Sequence, residues 1–361
     1  MITKREIIPI AKPMIEEEEI KAVEKVLKSG TLSQGPKVKE FEEEFAEYIG
    51  VDYAIATNSG TSALDTALAS LGIRRGDEVI TTTFSFVSTA SCVSMQGAKP
   101  VFCDIDQKTY NINPDEIEKR INDRTKAVIV VHLYGQPCDM RRMMEICEDH
   151  NLALIEDACQ AHGAEYRGQS VGSFGVGCFS FYPTKNMTTG EGGMITTNDE
   201  EVAKMARMIR DHGQKKRYLH AMLGYNYRMT DIAAAIGLVQ LKRLDQFNEQ
   251  RVSNAMYYNG KLDNESIQKP FIAENVRHVF HQYTIRVKER DRFLKHLKIN
   301  GVGYGIYYQI PLHKQPMFSE YNKLTLPEAE RACKEVVSIP VHPALDKEKL
   351  KYIAGVVNAY E

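Results

Sequence analysis

The feature that most constrains this chain is an alternation that begins at Tyr53 and runs to Asp157. Short apolar runs of strand length take turns with segments that carry a helical stripe. YAIAT passes through the small-residue turn NSG into SALDTALASLGI, where Leu64, Ala67, Leu68 and Leu71 recur at i, i+3, i+4 and i+7. DEVITTTF is followed by TASCVSMQGA, and PVFCDID by NPDEIEKRI. AVIVVHLYG is followed by DMRRMMEICEDH and then LALIED. Such alternation specifies a mostly parallel α/β sheet. CFSFYPT and GMITTN add two strands and EEVAKMARMIRDHG a helix. A longer helix begins at Thr230-Asp231 and runs past Gln250.

The flanks have a different character. Residues 1–30 read as an arm and a helix closed by Ser29-Gly30, and VKEFEEEFAEY as a charged amphipathic helix. After the long helix, strands such as FHQYTIRV mix with helices such as PEAERACKEVV. At 361 residues the chain exceeds one typical core. The expected organisation is an arm and helix over 1–30 packed on the small domain, a large domain over 31–250, and a smaller α+β domain over 251–361. A net charge of −2 gives no reason to expect nucleic acid or an anionic membrane as partner. No apolar run reaches the roughly 18 residues of a membrane span. The charged, proline-broken N-terminus does not read as a signal peptide. Seven cysteines without CxxC spacing suggest reduced thiols in a cytoplasmic protein, with no zinc site.

In open α/β sheets, ligands sit at the carboxyl ends of strands. Asn58-Ser59-Gly60-Thr61, Asp157 and Gln160 fall at such ends, and Lys185 follows one. A nucleophilic lysine must shed its proton near neutral pH, and burial favours that. The neighbouring Phe179, Phe181 and Tyr182 are candidates to supply the burial, and a neutral amine condenses with an aldehyde. A surface lysine after a strand would look the same. Asp157, closing an apolar strand, is placed to pair with a buried cation such as a protonated pyridine nitrogen. It is equally placed to cap the next helix. NSGTSALDTAL sets small and hydroxyl residues at a helix start, a natural phosphate cradle. Ser and Thr also cap helices without any ligand. GVGYG at 301–305 lacks the spacing of a dinucleotide fingerprint. Phe84 and Phe86 offer either an aromatic plate or core. A lysine, an aspartate, a phosphate cradle and an aromatic plate together describe pyridoxal 5′-phosphate.

The ordered set of motifs KSGTLSQGPKVKEFEEEFAEYIG, ATNSGTSALDTAL, GAKPVFCDID, VHLYGQPCDM, IEDACQAHGA, FSFYPTKNMTTGEGGMITTND, LGYNYRMTDIAAAIGLVQL and PLHKQPMF resembles the DegT/StrS-type sugar aminotransferases. These are pyridoxal-phosphate enzymes of the aspartate-aminotransferase fold, fold type I. The resemblance implies an α/β large domain and a smaller C-terminal α+β domain. It makes Lys185 the Schiff-base lysine and proton carrier, and Asp157 the partner of the pyridine nitrogen. Gln160 lies near the phenolic oxygen, and Phe86, rather than Phe84, is the plate over the ring. Gly60, Thr61 and Ser180 hold the phosphate. Asn226 reaches the phosphate from the neighbouring subunit, which implies a homodimer with composite active sites. L-glutamate is the implied amino donor and a nucleotide-linked keto-sugar the acceptor. Some relatives carry histidine in place of the lysine and perform dehydration, so Lys185 favours transamination. A dehydratase of the same fold and a non-catalytic sugar-nucleotide-binding regulator remain the alternatives. The glycines after Lys185 are expected to allow close backbone approach around cofactor and substrate, with Thr188 and Glu191 lining that loop. Tyr182 is a substrate-side candidate. The substrate is expected to lie partly against the C-terminal domain, where YGIYYQIPLHKQPMF supplies aromatic and polar candidates; His313 is one of them but stands outside the catalytic set.

Overall fold

The computed structural model describes residues 7–361. Helices α1 (Glu17–Ser29) and α2 (Pro36–Ile49) precede the first strand. The strands β1 (Tyr53–Thr57), β2 (Glu78–Thr82), β3 (Lys99–Cys103), β4 (Thr125–Val131), β5 (Ala153–Asp157), β6 (Val176–Ser180) and β7 (Gly193–Thr197) form one sheet. Their spatial order is β1-β7-β6-β5-β4-β2-β3. β7 pairs antiparallel with both neighbours, and the other pairs are parallel. Between and after the strands lie α3 (Gly60–Ser70), α4 (Ser88–Met95), the short α5 (Pro114–Glu118), α6 (Met140–Asp149), α7 (Glu200–Arg210) and α8 (Asp231–Lys261). Both faces of the sheet are covered, which is why the strands are continuous apolar runs rather than alternating ones. Leu64, Ala67 and Leu68 of α3 pack on Ile55, Ile129, Ile155 and Ile195. On the other face, Phe41 and Phe45 of α2 and Leu238 and Leu241 of α8 cover Phe179 and Met194.

Helix starts follow their caps. The Ser59 hydroxyl accepts from Ser62 N at 3.1 Å and opens α3, and the Thr230 hydroxyl accepts from Ala233 N at 3.1 Å and opens α8. α8 runs without a break past residue 250, so the boundary expected there falls inside a helix. Its first half feeds Leu238, Leu241 and Leu244 into the core of the large sheet. Its second half feeds Ala255 and Tyr258 into a second core. That core lies around the antiparallel strands β8 (Ile267–Gln268), β9 (Tyr283–Val287) and β10 (Val336–Ile339), with α9 (Arg290–Ile299), α10 (Pro327–Glu335) and α11 (Lys347–Asn358) in the same segment. The N-terminal arm joins it: Ile8 N donates to the Gly301 carbonyl at 2.9 Å, and Gly303 N to the Ile8 carbonyl at 2.7 Å. α1 packs on α8 instead, where the wholly buried Glu19 accepts from Gln240 Nε2 at 2.7 Å. Among the described residues no helix is long and apolar enough to cross a membrane.

Candidate active site

The chain leaves β1, β2, β5 and β6 on the same edge of the sheet, and β7 enters there. A cavity of about 630 Å³ opens at that edge, within the range of small-molecule sites. The turn after β1 brings Gly60 and Thr61 to its wall, and the loop after β2 brings Phe86. Asp157 at the end of β5, Gln160 just beyond it, Ser180 at the end of β6 and Lys185 in the next loop complete the set. Seven of the eight residues singled out in the sequence thus share one cavity. Asn226 does not line it. It is exposed, and its carbonyl lies 3.4 Å from Asn58 Nδ2.

At the start of α3, Ser59 and Ser62 satisfy each other's backbone N–H groups at 3.0 and 3.1 Å. The two first-turn N–H groups between them, of Gly60 and Thr61, have no partner among the described residues. They sit at the positive end of the helix dipole, an anion site. A Cβ at Gly60 would lie 2.6 Å from Ser180 Cβ and 3.1 Å from Cys159 Sγ, so only glycine keeps this cradle open. Asp157 is buried, accepting from Thr89 Oγ1 at 2.7 Å and from Cys159 N at 3.3 Å, with acceptor capacity left over. Gln160 accepts from Tyr134 N at 2.9 Å and donates to the Tyr308 hydroxyl at 3.1 Å. One residue, Ser85, separates Phe84, 1% exposed in the core, from Phe86, 56% exposed in the cavity. A flat apolar ring left that open is a stacking surface.

Lys185 is half-buried, and its amine has no hydrogen-bond or ion-pair partner among the described residues. Burial lowers its pKa, with the neighbouring Cys159 and Asp157 opposing the shift. Phe179 and Phe181, the sequence candidates for that burial, do not line the cavity. Both rings are buried beneath α2, with centroids 5.1 Å from Phe45 and 5.2 Å from Phe41 respectively. Met14, Thr188, Gln240 and Arg251 line a second, smaller pocket together with Lys185. The glycine expectation also changes. A Cβ at Gly193 would meet the Ser59 carbonyl oxygen at 2.2 Å, so this close approach is of the chain to itself. Glu191 and the half-exposed Tyr182 line the cavity, while Thr188 is buried behind it.

The far wall includes Tyr307 and Tyr308 from the substrate-side segment YGIYYQIPLHKQPMF, while His281 and Gln282 carry no signal in the sequence. His313 is a structural residue: fully buried, with Nδ1 2.6 Å from Thr83 Oγ1 and Nε2 3.1 Å from Glu330.

A model of the DegT/DnrJ/EryC1/StrS aminotransferase family matches residues 13–358. The chain belongs to that family. It is 43% identical over 341 residues to a pleiotropic regulatory protein of Geobacillus stearothermophilus, with 92% of each chain covered. It is 40% identical over 341 residues to a dTDP-3-amino-3,6-dideoxy-alpha-D-galactopyranose transaminase of Aneurinibacillus thermoaerophilus, with 94% of each covered. The crystal structure of S. venezuelae DesV matches with a TM-score of 0.93 at 35% identity, covering 97% of this chain and 98% of that one. As an aminotransferase of fold type I the protein depends on pyridoxal 5′-phosphate, and the cavity suits that cofactor. The open cradle with two unpartnered N–H groups fits a phosphate. The exposed Phe86 ring fits a flat heterocycle, the buried carboxylate a ring cation, and the unpartnered amine an aldehyde.

Proposed function

We propose that this aminotransferase moves an amino group from L-glutamate to a nucleotide-linked keto-sugar, and that the amino sugar serves polysaccharide or glycan synthesis. The observation that carries the reading is the meeting of an unpartnered amine, a buried carboxylate and a glycine-walled phosphate cradle in one cavity. The transaminase name of a 40% identical relative supports the sugar acceptor. Bound there, pyridoxal phosphate supplies an aldehyde and an electron-withdrawing ring that together acidify the substrate Cα–H. Lys185 Nζ would act as the base that takes the proton from that carbon and as the acid that gives it back. Its lowered pKa keeps a fraction of the amine unprotonated and able to accept. Asp157 would hold the proton on the ring nitrogen, Gln160 would face the phenolic oxygen, Phe86 would cover the ring, and Gly60, Thr61 and Ser180 would hold the phosphate.

Two copies complete the site. Asn226 is exposed and outside the cavity of its own chain, which suits a role in the neighbouring copy's phosphate cradle. The seven cysteines are all unpaired, which suits a reducing, cytoplasmic setting. A regulatory reading has the name of the Geobacillus relative in its favour. The test is to incubate the cofactor-loaded protein with L-glutamate and a panel of UDP-, dTDP- and GDP-linked 3- and 4-keto-hexoses. Amino sugar formed together with an equal amount of 2-oxoglutarate is expected. Loss of water from the sugar without 2-oxoglutarate would make the protein a dehydratase. Binding without any turnover would make it a regulator.

A further inference from the structure

A buried chain of amides ends in the cavity, and its partners fix the direction of every hydrogen bond in it. Asn186, next to Lys185 in sequence, is 3% exposed. Its Nδ2 lies 3.2 Å from the Val279 carbonyl oxygen and 2.7 Å from Asn248 Oδ1. A carbonyl only accepts, so the NH2 of Asn186 must face Val279. Asn248 is set in the same way, because its Nδ2 donates to the His162 carbonyl at 2.8 Å. What remains of Asn186 is Oδ1, which stands 3.2 Å from His281 Nδ1. An amide oxygen also only accepts, so the proton of His281 sits on Nδ1. A neutral imidazole carries one such proton, which leaves Nε2 bare and able to accept.

The His281 ring is buried and lines the same cavity as Lys185. Burial drives its pKa well down, and the charged groups that face it, Lys185 and Arg251, push the same way, with His162 as a third titratable neighbour. The ring is therefore held neutral. Gln282 Nε2 stands 3.5 Å from the bare Nε2, at the outer limit of a hydrogen bond. Lys185 Nζ, meanwhile, is a donor without a partner among the described residues.

We propose that His281 is a positioning residue for Lys185: its bare Nε2 accepts a hydrogen bond from the Lys185 amine during turnover, when that amine carries the transferred proton, a contact the resting structure does not make. The contact steers Nζ between the points where it takes and returns a proton, and Asn186 holds the ring in the tautomer that permits it. This rests on the reading of Lys185 as proton carrier.

The first test needs no cofactor and no variant beyond an assignment control. Nitrogen-15 NMR of histidine-labelled protein, with His281→Gln to assign the signal, reports the tautomer directly. His281 protonated at Nδ1 alone through the neutral range is expected. A proton on Nε2, or on both nitrogens, overturns the proposal. The second test follows the cofactor absorbance of the loaded enzyme through a single turnover with L-glutamate. His281→Phe, which keeps bulk and loses the acceptor, is expected to slow that step about tenfold. The apparent affinity for glutamate should stay unchanged, and His281→Gln, which keeps an acceptor, should recover part of the rate. Asn186→Asp gives Nδ1 a carboxylate and favours the imidazolium. It is expected to move the acid limb of the pH–rate profile to higher pH. If His281→Phe matches wild type with glutamate, or alters only the affinity for the keto-sugar, His281 does not position Lys185. If wild type itself fails to react with glutamate, the functional reading fails instead.

Discussion

One wall of the cavity comes from strand ends, and the opposite wall from loops of the C-terminal half. The first presents Gly60, Thr61, Asp157, Ser180 and Lys185, set by β1, β5, β6 and the turns that leave them. The second presents His281, Gln282, Tyr307 and Tyr308, largely aromatic and held neutral by burial. Strand ends in a covered sheet hold their groups rigidly, as a cofactor that must be kept in one pose requires. Loops can be exchanged without disturbing the sheet, which suits the side that meets the variable sugar. The difference fits cofactor chemistry to the first wall and acceptor choice to the tyrosines of the second, with His281 the one residue of the second wall that serves Lys185.

The largest effects should therefore come from the first wall. Lys185→Ala is expected to cost about a thousandfold or more in the glutamate half-reaction, measured by single-turnover absorbance. A near-wild-type rate would remove Lys185 from the chemistry. Asp157→Asn keeps the shape and an acceptor for Thr89 but loses the charge. A loss of about a hundredfold is expected in both half-reactions. Tyr308→Phe removes the hydroxyl that Gln160 meets at 3.1 Å. A loss of about fivefold is expected, confined to the keto-sugar half-reaction. If the glutamate step slows equally, the division between the walls is wrong. Phe86→Ala should weaken cofactor binding about fivefold in a fluorescence titration. It should leave the melting temperature of the cofactor-free protein unchanged, because the ring is already open to solvent.

The smallest effect concerns stability. Folding lowers the pKa of Lys185. Between the folded and unfolded values the unfolded chain therefore binds the extra proton, and stability from this group rises with pH until the unfolded value is passed. Without cofactor, Lys185→Met should melt higher than wild type at neutral pH. The gap should narrow as pH climbs toward the ordinary lysine range. A gap that widens with pH would show that the amine is held charged.

Much of the first wall was legible because its determinants are local. The Leu64, Ala67, Leu68 stripe, the Ser59 cap and the apolar run ending in Asp157 all lie within a few residues of what they position. The second wall depends on contacts that span the chain. Gln160 meets Tyr308 across 148 positions, and Asn186 meets His281 across 95. No periodicity reports such a pairing. The same limit explains Phe179 and Phe181. Their two-residue spacing shows that they share a face, but only the packing of α2 decides which face is sealed.

The most direct test of the central claim is borohydride reduction of the cofactor-loaded protein followed by peptide mass mapping. A pyridoxyl group fixed to the peptide that contains Lys185, and to no other, is the expected result. A pyridoxyl group on a different lysine, or none in a protein that demonstrably holds the cofactor as its aldehyde, would contradict it.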